Sequence, residues 1–173
     1  MNEIDSKLLL ARRQRSLSSR LRVVLGLCVP LAAILFQVYV PLFFSFLTFL
    51  ELPLLVTVYY SLMHRQPLWG IFYGAGIGLL QDSLSHNPLG MFGIVKTLVG
   101  FFAASVSLRV EVENVLVRFL LSFFFFLFHQ FCYWTMANGL LGQQFDFAAV
   151  QALVFGFLNA AVAVPLFRVL DKL

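Results

Sequence analysis

The sequence predicts an all-α polytopic membrane protein with six transmembrane helices, and three observations carry that prediction. Of 173 residues, 61% are hydrophobic and only 12% are charged, too few charges to clothe a soluble globule of this size. Mean hydropathy is +0.91. A helix rises about 1.5 Å per residue and needs about 20 residues to cross roughly 30 Å of hydrocarbon, so the chain holds about six crossings and almost no extramembrane domain.

Residues 1–22 form a polar tail in which Lys7, Arg12, Arg13, Arg15, Arg20 and Arg22 outweigh Glu3 and Asp5. That charge suits a cytoplasmic tail on an anionic leaflet better than a nucleic-acid arm, and no nucleic-acid partner is expected. The tail and Val23–Val40 could imitate a signal peptide or a twin-arginine signal, but no small-residue cleavage site closes the run and further spans follow. The first span is therefore read as retained. The second covers Leu42 to Met63, entered through Pro41 and left at Pro67, both at boundaries that tolerate a missing N–H. The third, Leu68 to Leu84, is short and glycine-rich and ends in a polar turn that reaches Gly90. Spans four, five and six cover Met91–Leu108, Val115–Ala137 and Phe147–Phe167. Phe43–Phe49 has local strand propensity, yet an unpaired strand has no place in hydrocarbon, so helix is expected there too. The organisation is a tail (1–22), one membrane domain (23–167) and a short C-terminus (168–173).

Six spans place both termini on one side. The tail cations together with Arg65, Arg109, Arg118, Arg168 and Lys172 make 11 of the 12 Lys and Arg residues, all on the side assigned to the cytoplasm. The positive-inside bias thus gives N-in and C-in. Arg118, slightly inside span five, is expected to snorkel to the cytoplasmic headgroups.

Glu51, Asp82 and Lys96 are the charges inside or at the edge of spans, and each is costly in hydrocarbon unless paired or hydrated. Glu51 and Lys96 each lie about 12 residues, roughly 18 Å, from the cytoplasmic ends of their spans. A Glu51–Lys96 pair is expected, with Asp82 about one turn nearer the outside as the alternative partner. A structural brace outweighs a binding or coupling site, because no other catalytic groups gather there. Pro53, two residues after Glu51, loosens the helix ladder and frees backbone carbonyls for a buried polar partner.

Gly70, Gly74 and Gly78 recur every four residues, giving span three a small-residue face for close backbone approach; Gly93 and Gly100 place a similar face beside Lys96 on span four. The four consecutive phenylalanines Phe123–Phe126 cover every face of span five, so some meet lipid or a partner. Tyr133 and Trp134 suit the outer headgroup belt and Trp69 the inner one. Gln37, His129, Gln130 and Asn159 are each expected to make an interhelical hydrogen bond. Asp82, Ser83, Ser85 and His86 hold the side chains of a serine hydrolase without its oriented triad or oxyanion hole. Gly74–Gly78 lacks the strand context of a nucleotide loop. Cys28 and Cys132 offer no disulfide or metal spacing, and no cofactor is expected.

The run Glu51-Leu52-Pro53, Pro67-Leu68-Trp69-Gly70, Gly78-Leu79-Leu80-Gln81-Asp82, Asn87-Pro88-Leu89-Gly90 and Lys96-Thr97-Leu98-Val99-Gly100 resembles the bacterial rod shape-determining protein MreD family in order and spacing. The departure is Glu51, where the family often has aspartate. The resemblance implies a non-enzymatic inner-membrane scaffold that acts with MreC, with the peptidoglycan polymerase RodA and transpeptidase PBP2, and indirectly with MreB. It also implies the fold of the substrate-binding subunits of energy-coupling-factor transporters. A small-molecule-binding transport subunit is the alternative. Glu51, Pro53, Asp82, Pro88, Gly90, Lys96 and Gly100 are the structural or partner-coupling candidates.

Overall fold

The computed structural model describes residues 24, 26–85, 88–142 and 148–172. The basic tail lies outside them. Six helices follow in order: α1 (Gly26–Leu42, closing in a 3-10 turn at Val40–Leu42), α2 (Leu52–His64), α3 (Pro67–Leu84), α4 (Met91–Val106), α5 (Val115–Leu141) and α6 (Ala149–Leu170). No strand occurs among the described residues, and Phe43–Phe49 is turn and 3-10 helix. The segments Leu47–His64, Val115–Gly139 and Ala149–Leu170 are long and apolar enough to cross a membrane, while α1 and α4 are apolar but shorter.

Span two differs from the single helix expected over Leu42–Met63. A 3-10 helix at Ser45–Phe49 precedes a break, and α2 starts only after Glu51, with Pro53 in its first turn. There the missing proline N–H costs no helical bond. The broken ladder is repaired from α6: Asn159 Oδ1 accepts from the Glu51 N–H at 2.9 Å, and Asn159 Nδ2 donates to the Phe49 carbonyl at 2.8 Å. At the other end of α2, Arg65 takes a left-handed conformation at φ 50° before Gln66-Pro67 reverses the chain.

α2 is the centre of the bundle. Pro53 to Tyr59, Ser61 and Leu62 are all buried, and Leu54, Leu55, Val58 and Leu62 join Val99, Ala103, Phe125, Phe126 and Phe167 in the main core. Ala33 and Ile34 of α1 close the opposite side against Val56 and Ile77.

The glycine spacing on α3 acts as expected. A Cβ on Gly70, Gly74 or Gly78 would overlap the backbone carbonyl of Gly100, Lys96 or Phe92 respectively, so α3 and α4 run antiparallel with their backbones in contact. Gly76 faces open space. In the phenylalanine run, Phe125 and Phe126 are buried and Phe124 is exposed. One helix thus feeds both the core and the outer surface.

Candidate functional site

The close α3–α4 approach places Lys96 wholly inside the protein. Its Nζ donates to Gln81 Oε1 at 2.6 Å, lies 3.8 Å from Glu51 Oε2, and sits 4.4 Å from the centre of the Phe92 ring. The lysine side chain is 0% exposed and that of Glu51 16%. The expected Glu51–Lys96 pair therefore exists, but Gln81 takes the short bond. Glu51 Oε2 is buried and accepts no hydrogen bond among the described residues.

Asp82 is a backbone cap. One carboxylate oxygen accepts the N–H groups of Gly90 and Gly93 at 3.0 Å each, and the other accepts that of Phe92 at 3.1 Å. These are orphan donors at the start of α4, where the helix dipole also favours a negative charge. The cap needs the chain to turn sharply at Gly90, whose φ of 94° suits glycine. Nothing crowds its missing Cβ. Pro88 precedes this turn and its carbonyl accepts from the Met91 N–H at 3.3 Å. Gly100 packs on Gly70 at the far end of α4. The Ser83 hydroxyl donates to the Leu79 carbonyl at 2.8 Å; Asp82 and Ser83 thus serve backbone groups, and His86 lies outside the described residues.

Of the polar residues within spans, Asn159 bridges helices as expected. His129 does not. It is buried with neither ring nitrogen hydrogen-bonded among the described residues, and it stacks on Phe92 at 5.9 Å and 7°. Gln37 reaches the Thr48 carbonyl only at 3.4 Å. Gln130 borders a cavity of about 310 Å3 instead, together with Glu51 from the segment before α2, Tyr133 and Trp134 from α5, and Gln151 and Phe155 from α6.

The opposite end of the bundle carries a second polar cluster that departs from expectation. Arg118 does not snorkel; it is buried, donating through Nε to the Val112 carbonyl at 2.7 Å and pairing through a terminal nitrogen with Asp171 at 2.5 Å. Asp171 also accepts from the Tyr59 hydroxyl at 3.1 Å. This triad ties α5, α6 and α2 together next to the ends that bear Arg65, Arg109, Arg168 and Lys172. Sequence reasoning missed Gln81 and Asp171, since neither is a lone charge within a span.

Among the described residues no group of three or more His, Cys, Asp or Glu side chains could hold a metal ion. The site can stabilise a buried charge, couple helices, and admit a small polar group beside Glu51. No curated protein and no solved structure matches the chain. Residues 18–173 match the family described as rod shape-determining protein MreD, and they include every candidate residue from Glu51 to Gly100, so the chain, an apolar helical membrane protein, belongs to the MreD family of rod shape-determining proteins.

Proposed function

We propose that this protein is a non-enzymatic scaffold of the rod elongation complex, supporting cell shape and side-wall peptidoglycan synthesis through MreC and the RodA–PBP2 synthase, with MreB joined indirectly. The observation that carries this reading is the family match over residues 18–173. The helices supply what an adaptor needs: a bundle braced from within, with exposed apolar faces along its outer helices, such as Leu116, Leu120, Phe124 and Phe131 on α5. These faces meet membrane lipids and MreC. Most of α2 is buried, so it offers no docking face.

In this reading the protein crosses the bacterial inner membrane six times with both termini in the cytoplasm, on the helix scaffold of energy-coupling-factor substrate-binding subunits. The end bearing Arg65, Arg109, Arg168 and Lys172 faces the cytoplasm, and the end bearing Glu51, Asp82 and Trp134 faces outward. Reporter fusions at residues 64 and 173 should report cytoplasm, and insertions near 86 and 142 the exterior; an external C-terminus overturns the six-span arrangement. The functional test is copurification followed by mass spectrometry. An adaptor recovers MreC or RodA–PBP2, whereas a transport subunit, the reading that the cavity beside Glu51 favours, recovers an ATPase module.

A further inference from the structure

The cavity between the segment before α2, α5 and α6 has a volume of about 310 Å3, at the small end of small-molecule sites, which run from roughly 300 to 1,000 Å3. We propose that it binds an uncharged, hydroxyl-rich group of the sugar type, held by Glu51, Gln130 and Gln151 beside Tyr133 and Trp134. The inference goes beyond the adaptor reading and does not depend on it.

The ligand class follows from charge and hydrogen-bond capacity. A carboxylate accepts up to about four hydrogen bonds, yet Glu51 Oε2 accepts none among the described residues, and Lys96 stands off at 3.8 Å and spends its short bond on Gln81. The part of Glu51 that remains accessible borders the cavity. It calls for a donor. No Lys or Arg lines the cavity among the described residues, so an anionic group would meet the Glu51 carboxylate at the wall while the cation that offsets it, Lys96, is buried and already paired. A cationic group fares little better, since the buried Lys96 ammonium lies 3.8 Å from the carboxylate and would repel it in a medium of low dielectric. Drawing Glu51 toward a second cation would also leave Lys96 unpaired, and an uncompensated buried charge is strongly destabilising. A neutral donor disturbs neither partner.

Gln130 and Gln151 supply both donors and acceptors, which matches hydroxyls that donate and accept in turn. Tyr133 and Trp134 add large amphipathic faces with polar edges. The sugar could arrive free or as the headgroup of a membrane glycolipid, and the same chemistry serves both.

The test uses the full chain in phosphatidylcholine nanodiscs with Trp69→Phe, which leaves Trp134 as the single tryptophan. Its emission is followed during titration with the methyl and dodecyl glycosides of glucose and N-acetylglucosamine, and with dodecylammonium and dodecyl phosphate as charged controls. A saturable shift with at least one glycoside is expected, and none with the controls. Saturation with a methyl glycoside assigns a free sugar; saturation with dodecyl glycosides alone assigns a lipid headgroup. Gln151, exposed at the start of α6, gives a variant that spares the fold: Gln151→Ala should weaken the apparent affinity about tenfold, as loss of a buried hydrogen bond does, with thermal stability unchanged. A linear response to every glycoside, a saturable response to ammonium or phosphate, or full affinity in Gln151→Ala overturns the proposal.

Discussion

Replacing either member of the Glu51–Lys96 pair should cost stability unequally, and the inequality follows from burial. Glu51→Gln removes the carboxylate facing an ammonium that is 0% exposed. Among the described residues Lys96 then keeps Gln81 and the Phe92 ring as its direct contacts. An orphaned buried charge of this kind costs about 3 to 5 kcal/mol. Lys96→Met keeps the bulk of the chain and leaves behind a carboxylate that is 16% exposed beside the cavity. That group can hydrate, so the loss falls to about 1 to 3 kcal/mol, the range for leaving polar partners unsatisfied. The double variant removes both charges, and exchange of a buried pair for uncharged groups is often close to neutral. A double-mutant cycle on the folded fraction, read by denaturant titration in detergent at matched expression, should therefore show a coupling of at least about 2 kcal/mol. Additive losses, or a greater loss for Lys96→Met than for Glu51→Gln, would refute the reasoning. Additivity would also turn attention to Gln81 as the true partner of Lys96.

Gly74→Ala should destabilise by about 1 to 3 kcal/mol, because the new Cβ collides with the backbone of Lys96 and Thr97 and no side chain can yield. Gly76→Ala, two residues on and facing open space, should be neutral or stabilising by up to about 1 kcal/mol through helix propensity; thermal denaturation of the two variants in parallel reads the opposite signs. Asp82→Asn should cost about 1.5 to 3 kcal/mol by weakening charged bonds to three backbone amides. Its signature is faster hydrogen exchange at Gly90, Phe92 and Gly93, and unchanged protection there would contradict the capping role.

The pairing of Glu51 with Lys96 was legible because charges are rare in the spans and helical rise is fixed, so counting residues from the helix ends gave both the same depth. The α3–α4 contact was legible from glycines four apart. Hydropathy could not register the break before α2, since Leu42–Met63 is apolar on both sides of Glu51 and the break is made by backbone bonds to Asn159, 108 residues from Glu51 in sequence. For the same reason it could not tell that α2 is enclosed while α5 is half exposed, because lipid and protein interior select the same side chains. Arg118 looked like a snorkelling cation because Asp171, 53 residues away, lies beyond the apolar run of span six. Lys96 was assigned carboxylate partners alone because a neutral carboxamide beside Asp82 carries no charge signal. The cavity beside Glu51 needed three segments to converge, and no local pattern encodes that.

In the proposed function, outer helix faces hold MreC while the Glu51–Lys96–Gln81 cluster braces the interior. Photocrosslinking residues introduced one at a time along α1 and α5, in cells that carry MreC, test it most directly. MreC crosslinks are expected at exposed positions such as Leu31 and Leu35, or Leu120, Phe124 and Phe131, repeating every three to four residues, with silence at the buried Ile34, Phe125 and Ala137. Crosslinks confined to residues 1–22, or spread over α5 without helical period, would contradict it.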